Sequence, residues 1–82
     1  MTRIEIARRA IERPLRLAAG GMVTTRLLLA LLRDLRGLGC DDGRPALALH
    51  ITLLRRHLPP DERIENVRGL GYRLVRAPSE GP

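Results

Sequence analysis

The stretch RIENVRGLGYRLV, Arg63 to Val75, decides how the rest of the chain is read. Ile64 and Val67 on one side, and Tyr72, Leu74 and Val75 on the other, form two short runs of strand-forming residues around Gly69-Leu70-Gly71. Two such runs joined by a glycine-bearing turn predict a β-hairpin, because glycine supplies the backbone angles that a tight reversal needs. Arg68 immediately precedes the turn and so belongs to the hairpin tip. From Asn66 to Arg76 there are three arginines and no carboxylate.

Immediately upstream lies LALHITLLRRHL, Leu47 to Leu58. At about 100° per residue, Leu47, Ile51, Leu54 and Leu58 fall in one narrow stripe, which is the expected core face of a helix. Pro45 suits the first turn of that helix, and Pro59-Pro60 ends it. Thr52 and Arg56 lie nearly opposite the stripe, Arg55 flanks it, and His50 and His57 take the other flank. No acid occurs between Pro45 and Pro60. Such a face suits a DNA major groove, where Arg donates to phosphates and guanine edges and Thr offers a small hydrogen-bonding group. A charged helix face is more often simply solvated. The hairpin shifts that balance, since a guanidinium at a narrow tip can enter a minor groove, where the potential is most negative.

Working outward, Thr2 and Glu5 form a capping-box pattern. Ile4, Ala7 and Ile11 then share one helical face, which predicts a helix from Thr2 to Arg13. Ile4 and Ile6 also fit a short strand. Pro14 ends or kinks the helix and can start a further turn through Ala19. Gly20-Gly21 is a break, and Met22-Val23 is a short extended piece. Thr24 is a suitable N-cap for a second helix reaching Arg36, with Leu28, Leu31, Leu32 and Leu35 as its stripe and Leu27 and Leu29 widening it. Gly37 to Arg44, with Asp41 and Asp42, reads as a loop. The resulting order is helix, tiny strand, helix, helix, hairpin. The expected fold is therefore mainly α with a small β-hairpin, the plan of a winged helix-turn-helix spanning residues 1–76, followed by a flexible tail, 77–82.

Composition limits the alternatives. The chain has 82 residues, 15 arginines without a lysine, nine acids and a net charge of +6, so a polyanionic partner is expected. Sixteen leucines supply most of the apolar mass, and Tyr72 is the one aromatic residue. Cys40 alone cannot make a disulfide scaffold. The longest apolar run, Leu27 to Leu32, is far short of the roughly 20 residues that cross a bilayer. Arg3, Arg8 and Arg9 interrupt any secretory h-region, and a cytoplasmic protein is expected. His50 and His57 are too far apart for the usual helical metal pair, so no metal or cofactor is expected. Gly69-Leu70-Gly71 is no nucleotide loop, because no helix follows it. No clustered catalytic set is present, and an enzyme is not expected. The first helix, carrying Arg3, Arg8, Arg9 and Arg13, lacks the aromatics of a membrane-surface helix and is expected to pack on the core.

Leu47 to Leu58 together with Arg63 to Val75 resembles the C-terminal DNA-binding domain of the OmpR/PhoB response regulators. His50, Ile51, Leu54, Arg55, Arg56 and Leu58 match the family's third helix, and Arg68, Gly69, Gly71, Tyr72 and Arg73 match its wing. Met22 to Leu29 resembles the family's short strand and the start of its second helix, so the likeness covers roughly Gly20 to Arg76. The resemblance implies a bacterial or phage transcriptional regulator that binds double-stranded DNA. The third helix would lie in the major groove and Arg68 in the minor groove, with Tyr72 anchoring the wing. The loop over residues 37–44 would touch RNA polymerase. No receiver domain is expected, the family's N-terminal sheet is expected to be missing or reduced to a helix or a fragment, and the family's Asp in the third helix is Ala48. The expected DNA-contacting set is His50, Thr52, Leu53, Arg55, Arg56, Asn66, Arg68, Arg73 and Arg76. A second reading keeps the frame but binds protein, either RNA polymerase, another regulator or a second copy as a homodimer, through exposed Leu49 and Leu53.

Overall fold

The computed structural model describes residues 1–77. Its elements are α1 (Arg3–Leu17), β1 (Val23–Thr24), α2 (Thr25–Asp34), a short 3-10 turn (Arg36–Leu38), α3 (Arg44–His57), β2 (Glu62–Val67) and β3 (Gly71–Arg76). Three helices and a three-stranded antiparallel sheet of order β1-β3-β2 make a small, mostly helical domain. None of its helices is long and apolar enough to cross a membrane. The expected tail falls largely on residues 78–82, outside the described residues.

Each helix starts where its cap dictates. The Thr2 hydroxyl accepts from the Glu5 amide at 3.1 Å, and the Thr24 hydroxyl accepts from the Leu27 amide at 3.2 Å. Both satisfy amides that an isolated first turn leaves without partners. Ile4 and Ile6 are helical, not extended.

The first helix runs further than Pro14 suggested. Pro14 cannot donate to the Ala10 carbonyl, yet the helix continues to Leu17 and the Ala18 amide closes on the Pro14 carbonyl at 3.0 Å. Leu15 explains the continuation. It is fully buried and extends the stripe of Ala7 and Ile11, so its burial, about 1.5–3 kcal/mol, offsets most of the proline cost. Ile4, expected in that stripe, is instead half exposed. The helix ends where Ala19 and Gly20 turn left-handed at φ 50° and 93°.

The core gathers Ala7, Ile11 and Leu15 of α1, Leu28 and Leu32 of α2, Leu47, Ile51 and Leu54 of α3, and Val23, Ile64 and Leu74 of the sheet. Leu31, Leu35, Leu58 and Tyr72 pack partly buried around it. The second helix ends at Asp34, two residues early, and the Arg36–Leu38 turn occupies part of the expected loop. β1 lies where the extended Met22-Val23 piece was read, with Val23 opposite Tyr72 and Thr24 opposite Gly71.

Candidate functional site

α3 follows its predicted stripe with one change. Leu47, Ile51 and Leu54 are buried and Leu58 partly so, but His50 is buried beside them at 5% exposure. Its placement on an accessible flank is therefore corrected: α1 packs along α3 and covers the His50 edge as well as the leucine stripe. His50 Nδ1 is buried without a hydrogen-bond partner among the described residues. The opposite face presents Arg44, Ala48, Thr52, Arg55 and Arg56, all exposed. Ala48 and Thr52 form a low centre between arginines, a surface that admits close approach. The Thr52 hydroxyl donates to the Ala48 carbonyl at 3.0 Å and, being exposed, keeps its acceptor capacity for a partner.

Burial pushes the His50 imidazole pKa below the ordinary histidine value, against a weaker upward pull from the Asp41 carboxylate. The folded state therefore holds fewer protons than the unfolded chain just below the ordinary value of about 6.5. Stability is full at neutral pH and falls as the medium is acidified through that value, by at most about 1.4 kcal/mol per pH unit for this one proton. Thermal unfolding between pH 7.5 and 5.5 should show the fall, and His50→Leu should flatten it. A slope that persists unchanged in His50→Leu would assign it to another group.

The C-terminal hairpin is tied to both neighbours. Val67 faces Gly71, Asn66 faces Tyr72 and Glu65 faces Arg73 across its strands. The Leu70 amide donates to the Val67 carbonyl at 2.9 Å, closing a turn in which Gly69 sits at φ 76°. That positive φ is one that side-chain-bearing residues rarely adopt. The Leu70 carbonyl accepts from the Thr25 amide at 3.0 Å, which fastens the tip to the start of α2. Arg55 Nη2 donates to the Ile64 carbonyl at 3.2 Å, so α3 also grips β2.

Two of the expected contact residues are already engaged. Arg73 pairs with Glu65 at 2.7 Å, and Arg76 reaches Glu62 at 3.3 Å and Asp61 at 3.6 Å. Glu62 and Glu65 both lie in β2, directly across from Arg76 and Arg73. Glu62 is also chelated by Arg16 of α1 at 2.9 and 3.1 Å. These bonds, Arg16 foremost for Glu62 and Arg73 for Glu65, hold both carboxyls below the usual carboxylate range. Arg73 and Arg76 thus fasten the hairpin and contribute little free charge. Arg55 is divided between its Ile64 bond and solvent.

Other arginines take their place. Arg26 and Arg33 of α2 and Arg44 of α3 line one open cleft of about 630 Å³, closed at one end by Gly69 and Leu70. Among the described residues none of these three, nor Arg56 or Arg68, has a carboxylate within ion-pair distance. Reading the sequence missed Arg26, Arg33 and Arg44. A signal existed for two of them: Arg26, Ala30 and Arg33 are spaced i, i+4, i+7 on the polar side of α2. Asn66 is exposed and lines a smaller cleft with Arg44, Leu70 and Tyr72.

Leu53 is half buried and Leu49 is exposed. Leu49 shares a hollow of about 660 Å³ with Ile4 and Pro45, and Cys40, Asp41 and His50 line the same space. Among the described residues no group of three or more histidine, cysteine or carboxylate side chains is arranged to hold a metal ion. No protein-family model, curated protein or solved structure matches the chain.

Proposed function

We propose that the protein is a winged-helix DNA-binding regulator, with α3 entering the major groove and the β2–β3 hairpin acting as the wing in the minor groove. The observation that carries this reading is the sorting of the arginines. Those of the hairpin strands, Arg63, Arg73 and Arg76, pair with Asp61, Glu62 and Glu65, while Arg26, Arg33, Arg44, Arg56 and Arg68 have no carboxylate within ion-pair distance among the described residues, as is also true of Arg3, Arg8, Arg9 and Arg13 on α1. Unpaired guanidinium groups from two helices and a hairpin tip make a surface suited to phosphates, each of which gains most from a cation that no carboxylate already satisfies. Thr52, with Ala48 beside it, leaves room for α3 to approach base edges. Leu53 takes the border of that face, and His50 leaves the contact set for the core.

Arg68 is the sharpest handle on this reading. Arg68→Ala removes an exposed tip charge without touching a buried contact, so the fold is retained. Duplex affinity should drop by about 1–3 kcal/mol, roughly five- to 150-fold, in a mobility-shift titration. Unchanged binding would take the hairpin out of the interface.

The hollow shared by Ile4 and Leu49 favours a second reading, a protein-contact surface beside the DNA face. The partner is then RNA polymerase, another regulator or a second copy of the chain. Mass measurement of the purified protein separates self-association from the rest, and duplex binding at low salt separates this surface from the DNA face.

A further inference from the structure

Leu70 is more than half exposed at the tip of the hairpin, at 58%. A lone exposed leucine is ordinary on a protein surface. The seat of this one is not. Its neighbours on both sides are glycines, so no adjacent side chain crowds it, and a Cβ built on Gly69 meets nothing within 4 Å. Its amide is held by Val67 and its carbonyl by Thr25, so the backbone beneath it is fixed at both ends. The leucine is therefore an apolar ridge on a rigid mount, with little ordering left to lose on contact. Leu70 borders two concave surfaces: the cleft of Arg26, Arg33 and Arg44, and the smaller, mostly polar cleft of Asn66 and Tyr72. Arg68 stands two residues away with no carboxylate in ion-pair range among the described residues.

We propose that Leu70 is a wedge that enters between two stacked base pairs in the minor groove, opens that step and bends the duplex away from the hairpin. The inference rests on the DNA-binding reading above. Apolar side chains inserted between base steps partly unstack them and kink DNA by about 20–90°, and the cost is recovered through the extra surface that the bent duplex reaches. Here Arg26, Arg33 and Arg44 of the adjacent cleft, without a carboxylate in ion-pair range among the described residues, can hold the phosphates that flank the opened step. The wedge also selects sequence without reading base edges. Pyrimidine–purine steps such as TpA unstack most readily, so a site centred on one is preferred.

The test compares the wild-type protein and Leu70→Ala on end-labelled duplexes of about 20–30 base pairs, with energy transfer between the ends reporting the bend. One duplex has a central TpA, a second a central ApT, and a third a central mismatch whose unstacking cost is already met. The wild type should bend the TpA duplex and bind the mismatched one at least about tenfold tighter than the ApT one. Leu70→Ala should bind all three within about threefold of one another and leave them nearly straight, while melting like the wild type because so little of Leu70 is buried. Wild-type binding without a bend, or a bend retained in Leu70→Ala, would overturn the wedge and leave the DNA-binding reading standing. Absence of wild-type binding to every duplex at low salt would overturn both.

Discussion

Gly71→Val is expected to detach β1 from the hairpin and to destabilise the domain by about 3 kcal/mol or more. Gly71 is buried, and a Cβ placed on it would run into the Val23 carbonyl oxygen and come within 2.8 Å of the Thr24 Cα. Both obstacles are backbone, which cannot rotate aside as a flexible side chain would. The only relief is separation of β1 from β3, and that also pulls on the Thr25–Leu70 bond that fastens the tip to α2. Urea unfolding should show a large drop in midpoint. Gly69→Ala is the control: its φ of 76° carries strain of about 1 kcal/mol, but the space around it is open. Equal stability of Gly71→Val and the wild type would mean that β1 does not lie against β3.

Leu28→Ala is expected to cost about 3–5 kcal/mol, the range for a large-to-small change at a fully buried leucine. Domains of this size have a total stability of only about 4–12 kcal/mol, so the variant gives up a large fraction of it and should unfold at a much lower denaturant midpoint. Leu27→Ala, one position earlier and 46% exposed, should change stability by no more than about 0.5 kcal/mol. The contrast between adjacent leucines fixes which face of α2 the core takes. Matching losses for the two would contradict the packing described here.

Much of this arrangement was legible locally. Thr2, Thr24 and Pro59-Pro60 marked helix boundaries because capping and termination depend on a few adjacent residues. The hairpin was legible because Gly69 is required by its own turn, whatever packs around it. The stripe of α3 was legible because burial repeats with the helix. His50 was not, because the width of a buried arc depends on how α1 lies across α3, which periodicity does not encode. Whether α1 ends, kinks or continues at Pro14 was open in the sequence for the same reason: only a tertiary contact reveals that Leu15 is buried strongly enough to carry the helix past a proline.

The site was legible in its elements more than in its residues. The pairing of Arg73 with Glu65 and of Arg76 with Glu62 follows from strand register. That register was available once the turn was placed, but the two acids were not weighed against the arginines across the hairpin. Arg26, Arg33 and Arg44 come from separate parts of the chain and meet only because α2 and α3 converge near the hairpin tip. Charge totals count every arginine alike. Only geometry separates the ones that hold the fold together from the ones left to face a partner.

The most direct test of the DNA-binding account is the salt dependence of duplex affinity. On the proposed face, five arginines with no ion-pair partner among the described residues, Arg26, Arg33, Arg44, Arg56 and Arg68, each displacing one phosphate counterion, predict a log–log slope of about −4.5. Affinity for a duplex should therefore fall by about 500-fold between 50 and 200 mM monovalent salt. Binding that is undetectable at the lower salt, or that changes little across this range, would contradict the account.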